Sequence, residues 1–124
     1  MRYFPLFLDI KDKPVLLVGG GEVAARKFSL LADAGAAITV VSPALGRELT
    51  AVLTRGAFVH QAREFVPADI EGAWLVVAAT DDASVNAAVS AAANAARIPC
   101  NVVDDRELSS FIMPAIIDRS PVQI

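Results

Sequence analysis

The stretch PVLLVGGGEVAARK, residues 14–27, decides how this chain is read. An apolar run passes straight into three glycines, and a segment with helical spacing follows. A strand that is apolar at successive positions, not alternate ones, is covered on both faces, as in a parallel sheet with helices above and below. The spacing therefore predicts a first strand over 14–20. A helix is predicted over 22–35, with Val23, Phe28, Leu30, Leu31 and Ala34 near one face and Gly35 as its stop. Between them, Gly19, Gly21 and Ala24 match the G-x-G-x-x-G/A pattern of dinucleotide-binding turns. Gly19 permits the tight turn, Gly21 lets backbone approach a pyrophosphate, and Ala24 keeps helix and strand close. The free N–H groups opening the helix then face the phosphates.

Outward from this unit the alternation repeats. Strands are predicted at 37–43, 57–62, 74–80 and 98–104, and helices at 44–56 and 83–97. The third strand, AFVHQA, is shorter and more polar and is assigned to an edge. YFPLFLDI, residues 3–10, carries Pro5 and suits an extended edge segment better than a central strand. The expectation is an α/β fold: Rossmann-like and doubly wound, a mainly parallel sheet with helices on both faces. With 124 residues, 55% of them hydrophobic and 20% charged, the chain fits one core and excludes disorder.

Eleven Lys and Arg against fourteen Asp and Glu leave a net charge of −3, with the basic residues scattered, so a nucleic-acid partner is not expected. No apolar run approaches the roughly 20 residues that span a bilayer, so no membrane partner is expected either. MRYFPLFLDIKDK lacks the apolar core and cleavage site of a signal peptide, and the one cysteine, Cys100, cannot form an internal disulfide. These features predict a cytoplasmic protein. His60, the only histidine, has no Cys or His partner in sequence, so no metal site is predicted.

The dinucleotide fingerprint expects an acid about 20 residues beyond the loop, to hold the adenosine ribose. This chain has Ser42 there, in VVSPA. A serine can still bond a ribose hydroxyl, and the only nearby base is Arg47, so the cofactor is read as NAD in preference to NADP. Thr80, Asp81 and Asp82 fall at the end of the fourth strand. Asp82 reads better as a helix N-cap than as a catalytic group, and Thr80 can both cap and touch a ligand. Asp104, in CNVVDD after the fifth strand, is the favoured catalytic carboxylate, although a turn role is equally compatible with the pattern; Asp105 is read as solvent-facing. Cys100 is read as a core residue.

Taken together, FPLFLDIKDKPVLLVGGGEVAARK, VVAATDDASVN, CNVVDD and SSFIMPAIIDRSP resemble the N-terminal part of the siroheme synthase family from end to end. The resemblance implies NAD-dependent oxidation of precorrin-2 to sirohydrochlorin, followed by ferrochelatase insertion of Fe²⁺ to give siroheme. It places cofactor contacts on Gly21, Glu22, Val23, Ser42, Pro43, Ala44 and Thr80, alongside Gly19 from the pattern, and the catalytic aspartate on Asp104. It divides the chain into an NAD-binding domain over 1–112 and the start, over 113–124, of a dimerisation region that also helps enclose the tetrapyrrole. It thereby implies a homodimer in the full-length form, with the rest of that region lying beyond Ile124. Arg106 and Arg119 are candidate partners for the tetrapyrrole's carboxylates. The alternative is a non-catalytic nucleotide sensor, since potassium-transport regulatory domains share an ATDD…VN stretch, but they carry an acid where this chain has Ser42 and lack the SSFIMPAIIDRSP ending.

Overall fold

The computed structural model describes residues 2–113. Five parallel strands form one sheet in the order β3-β2-β1-β4-β5, with β1 at Pro14–Val18, β2 at Ala37–Val41, β3 at Phe58–Gln61, β4 at Leu75–Ala78 and β5 at Cys100–Val102. Helices α1, Glu22–Asp33, and α2, Arg47–Val52, follow β1 and β2; α3, Ala83–Ala95, follows β4. The expected doubly wound α/β fold is what forms. The chain leaves β1 toward β2 on one side and later returns to place β4 on the other, so the strand order reverses beside β1. Open α/β sheets bind ligands at that switch point, outside the carboxyl ends of the strands.

Alternation along β1 explains the two layers. Val15 and Leu17 face α1 and α2, where they meet Phe28, Leu31 and Leu49; Leu16 and Val18 face α3, where they meet Val89 and Ala93. A fully buried Val or Leu contributes about 1.5–3 kcal/mol. Phe28 anchors the first layer: it is fully buried and meets Phe58 edge to face with ring centroids 6.3 Å apart. The alanines of α3 let its backbone lie close to the sheet.

Three expectations are corrected. The second helix starts at Arg47, not residue 44, and gives way to a 3₁₀ turn at Leu53–Arg55. Residues 43–46 instead cross over the glycine loop, where the Gly46 N–H donates to Gly20 O at 2.7 Å. The strand predicted over 98–104 is paired only over Cys100–Val102, because Asp104 turns out of the ladder with φ 59°. Residues 3–10 join no edge. Pro5 has no N–H to give, and the outer side of β5 is already taken: Cys100 N donates to Ser110 Oγ at 2.8 Å and Val102 N to Ser109 Oγ at 2.8 Å. Phe4, Leu6 and Phe7 stand exposed. The edge position of β3 is as expected. The boundary assigned to 113–124 and the candidate Arg119 fall beyond or at the limit of the described residues.

Candidate functional site

A cleft of about 970 Å³ opens at the carboxyl ends of β1, β2 and β4. Its floor is the glycine loop, and each glycine has a different reason to be there. Gly19 holds φ 135°, and a Cβ on it would collide with Ala79 O, because β1 and β4 are still in register there: Ala79 N donates to Val18 O at 2.8 Å. A Cβ on Gly20 would collide with Ala44 O and lie 2.5 Å from Ser42 Oγ. Gly21 is unlike both. A Cβ there would have nothing within 4 Å, so the side of the loop that faces the cleft is bare backbone. Gly21 is also the N-cap of α1, with no side chain to accept from the first turn. The N–H groups of Glu22, Val23 and Ala24 therefore remain for an anionic ligand. These are the groups a dinucleotide pyrophosphate requires, and the residues present fit it.

The β2 wall is Ser42, Pro43 and Ala44. Ser42 is buried, and its hydroxyl donates to Ala44 O at 2.6 Å, so it shapes the loop first and can offer a ligand only what remains of its oxygen. His60 Nε2 lies 2.9 Å from Ser42 O, an inward tie on the edge strand. Arg47 is exposed and does not line the cleft.

The β4 wall is Thr80, held by a residue the sequence reading passed over. Asn86 is buried on α3 and bonds Thr80 three ways: its Oδ1 accepts from Thr80 N at 3.2 Å and from Thr80 Oγ1 at 2.7 Å, and its Nδ2 donates to Thr80 O at 3.1 Å. The signal was a polar side chain among alanines on a helix that already has its cap. That cap is Asp82, as expected, accepting from Ser84 N at 2.9 Å, Ser84 Oγ at 2.6 Å and Val85 N at 3.4 Å. The Ser84 hydroxyl, then the Ser84 and Val85 amides, hold the Asp82 carboxyl below its ordinary range.

Asp104 stands two residues past β5, exposed, with φ 59°. It borders the first cleft and also a second, of about 590 Å³, lined by Lys27, Asn101, Arg106, Ser109 and Met113. Asn101 donates from Nδ2 to Phe111 O at 3.1 Å, but its buried Oδ1 has no partner among the described residues. A buried acceptor left bare in this way fits a ligand that donates there. Asp105 departs from its reading: it is half-buried, and its Oδ1 accepts from Leu108 N at 3.1 Å to set the turn that carries Ser109 and Ser110 back along β5. Cys100 is fully buried, and burial pushes its thiol up to about 11, which suits a core residue. Among the described residues no group of three His, Cys, Asp or Glu is placed to hold a metal ion, and no helix is long and apolar enough to cross a membrane.

Comparison with known proteins agrees with this geometry. Residues 6–115 match a family described as putative NAD(P)-binding. The whole chain is 60% identical to siroheme synthase 1 of Aeromonas salmonicida, covering 26% of that protein, and 54% identical to the siroheme synthase of Methylobacillus flagellatus, covering 27%. The chain thus spans about a quarter of the length of the curated relatives it matches. Among solved structures, SirC, precorrin-2 dehydrogenase, superposes with a TM-score of 0.76 at 26% identity, over 97% of this chain and 59% of that one.

Proposed function

The chain belongs to the putative NAD(P)-binding family, and from that premise we propose that it is the dehydrogenase part of a siroheme-forming enzyme. It oxidises precorrin-2 to sirohydrochlorin with NAD and, in the full-length protein, assists Fe²⁺ insertion. The observation that carries this reading is the position of Asp104, which borders both clefts. One cleft has the bare backbone a dinucleotide needs. The other has Lys27 and Arg106, whose cations suit the carboxylates of a tetrapyrrole, and Asn101 Oδ1, unpartnered among the described residues and an acceptor for a ring N–H.

NAD, once bound, supplies the hydride acceptor. The chain's own residues do the placing. The amides that open α1, those of Glu22, Val23 and Ala24 with the Gly21 cap before them, hold the pyrophosphate; Ser42, Pro43 and Ala44 border the adenosine; Gly19 and Thr80 lie toward the reacting end. Asp104 takes the proton that leaves carbon as the hydride departs, and its exposure lets that proton pass to solvent. Entry of Fe²⁺, a substrate here, displaces protons from the macrocycle nitrogens, and the same carboxylate is in place to accept them. Residues 113–124 begin the dimer-forming region, and the working form is a cytoplasmic homodimer. The nucleotide-sensor alternative is not favoured, because the whole chain matches siroheme synthases and has no acid at position 42.

The test is the full-length parent given precorrin-2 and NAD. NADH should form, and Asp104→Ala should abolish its formation while NAD still binds; normal turnover in that variant removes Asp104 from the mechanism.

A further inference from the structure

Among the described residues, the cleft that takes the dinucleotide is bordered by five carboxylates, on Glu22, Glu64, Asp81, Asp82 and Asp104, and by no Lys, Arg or His. Three of these belong to features already described, the start of α1, the cap of α3 and the reacting end, and a fourth, Asp81, adjoins that cap past the end of β4. Glu64 belongs to none of them, and its carboxylate makes no ion pair among the described residues.

Its position is set by β3. Ser42 N donates to Gln61 O at 3.2 Å, so β2 and β3 run out of the sheet side by side. Arg63 N then donates back to Gln61 O at 2.9 Å, and the turn this makes brings Glu64 and Phe65 to the same cleft as Ser42, Pro43 and Ala44. The adenosine ribose of a dinucleotide lies at the end of β2 in this fold. Ser42 brings no charge there, and its side chain is turned toward Gly20.

The neighbouring cation is withheld. Arg63 Nη1 donates to Asp69 Oδ2 at 2.8 Å and Nη2 to Asp69 Oδ1 at 2.5 Å, a two-pronged pairing, while Nη1 also reaches Glu64 O at 3.1 Å. Asp69 is fixed in turn by accepting from Val66 N at 2.9 Å. A guanidinium is the group that would grip a 2′-phosphate, and this one is clamped onto a carboxylate outside the cleft lining.

We propose that Glu64 is the residue that selects NAD against NADP, supplying from the β3 turn the negative charge that the end of β2 lacks, and that Asp69 completes the selection by holding Arg63 away. This deepens the dinucleotide reading and rests on it. The 2′-phosphate of NADP would meet Glu64 without a counter-charge, whereas the 2′-hydroxyl of NAD could donate to it.

Calorimetric affinities of the full-length protein for NAD and NADP test this, with melting temperatures confirming that each variant folds. NAD should bind more tightly than NADP, and the ratio should shrink with added salt as the repulsion is screened. Glu64→Gln should shift the ratio toward NADP by about two- to fivefold, the range of an exposed charge pair, and Glu64→Lys further. Arg63→Ala should leave NADP affinity unchanged, because Arg63 does not serve the phosphate, and Asp69→Asn should raise it. An unchanged ratio in Glu64→Lys, with NAD bound normally, overturns the role of Glu64. Weakened NADP binding in Arg63→Ala, or no gain in a folded Asp69→Asn, overturns the withheld cation. Failure of the unaltered protein to bind either dinucleotide overturns the cofactor reading itself.

Discussion

Asn86 holds Thr80 by amide, carbonyl and hydroxyl at once, at 3.2, 3.1 and 2.7 Å, tying the first turns of α3 to the end of β4 where the strand order reverses. Asn86→Ala would leave the half-buried Thr80 without the acceptor of its amide, at a cost of about 2 kcal/mol. The expected drop in melting temperature is roughly 8 °C, with weaker NAD binding because Thr80 is no longer fixed. Thermal unfolding with and without NAD measures both; an unchanged melting temperature would show that water replaces Asn86 at no cost.

The glycines separate folding from binding. Gly21→Val adds a side chain into open space at a backbone angle, φ −99°, that any residue adopts, so the melting temperature should hold while NAD affinity falls by at least an order of magnitude as the pyrophosphate is displaced. Gly19→Ala and Gly20→Ala should do the reverse first, lowering stability through collision with Ala79 O and Ala44 O. Equal loss of stability in all three would contradict this division.

Asp82 makes stability depend on acid. Bonds from Ser84, then from the Val85 amide, depress its carboxyl, so the folded chain binds the proton less readily than the unfolded one. Its contribution is complete above the unfolded value of about 4 and is lost as pH falls through the lower folded value. Asp82→Ala should therefore melt a few degrees lower near neutral pH, and the difference should close in acid. A gap that stays constant with pH would mean that the charged cap does not matter.

Cys100 should be inert. With its thiol pushed up to about 11 and its side chain wholly buried, alkylation near pH 8 should wait for unfolding and then proceed at once. Rapid labelling of the folded chain would show that β5 and the serine-lined segment beside it open together.

The sheet was legible because β1 writes its burial into successive apolar residues and ends on glycine, and because the polar β3 announces an edge. The cap at Asp82 was equally readable, since Asp followed by a helical run has one economical meaning. What escaped were long-range ties. Nothing local in ALGRELT says that its first residues are drawn across the glycine loop by the Gly46 to Gly20 bond, so the local pattern places the helix start three residues too early. Asn86 was hidden because its partner lies in another element, and Asp105 because a turn carboxylate and a solvated one look alike in sequence. Glu64 escapes the dinucleotide pattern because that pattern places the ribose acid at the end of β2, whereas this chain brings one in from the adjoining strand.

The left-handed backbone at Asp104 has a consequence for any attempt to improve this protein. An L-residue held at φ 59° is strained by about 1 kcal/mol relative to glycine. A library screened for heat resistance alone should therefore enrich Asp104→Gly, a fold that survives better and has lost its proposed base. Only selection that also demands turnover would keep the aspartate, so the two screens should diverge at this position.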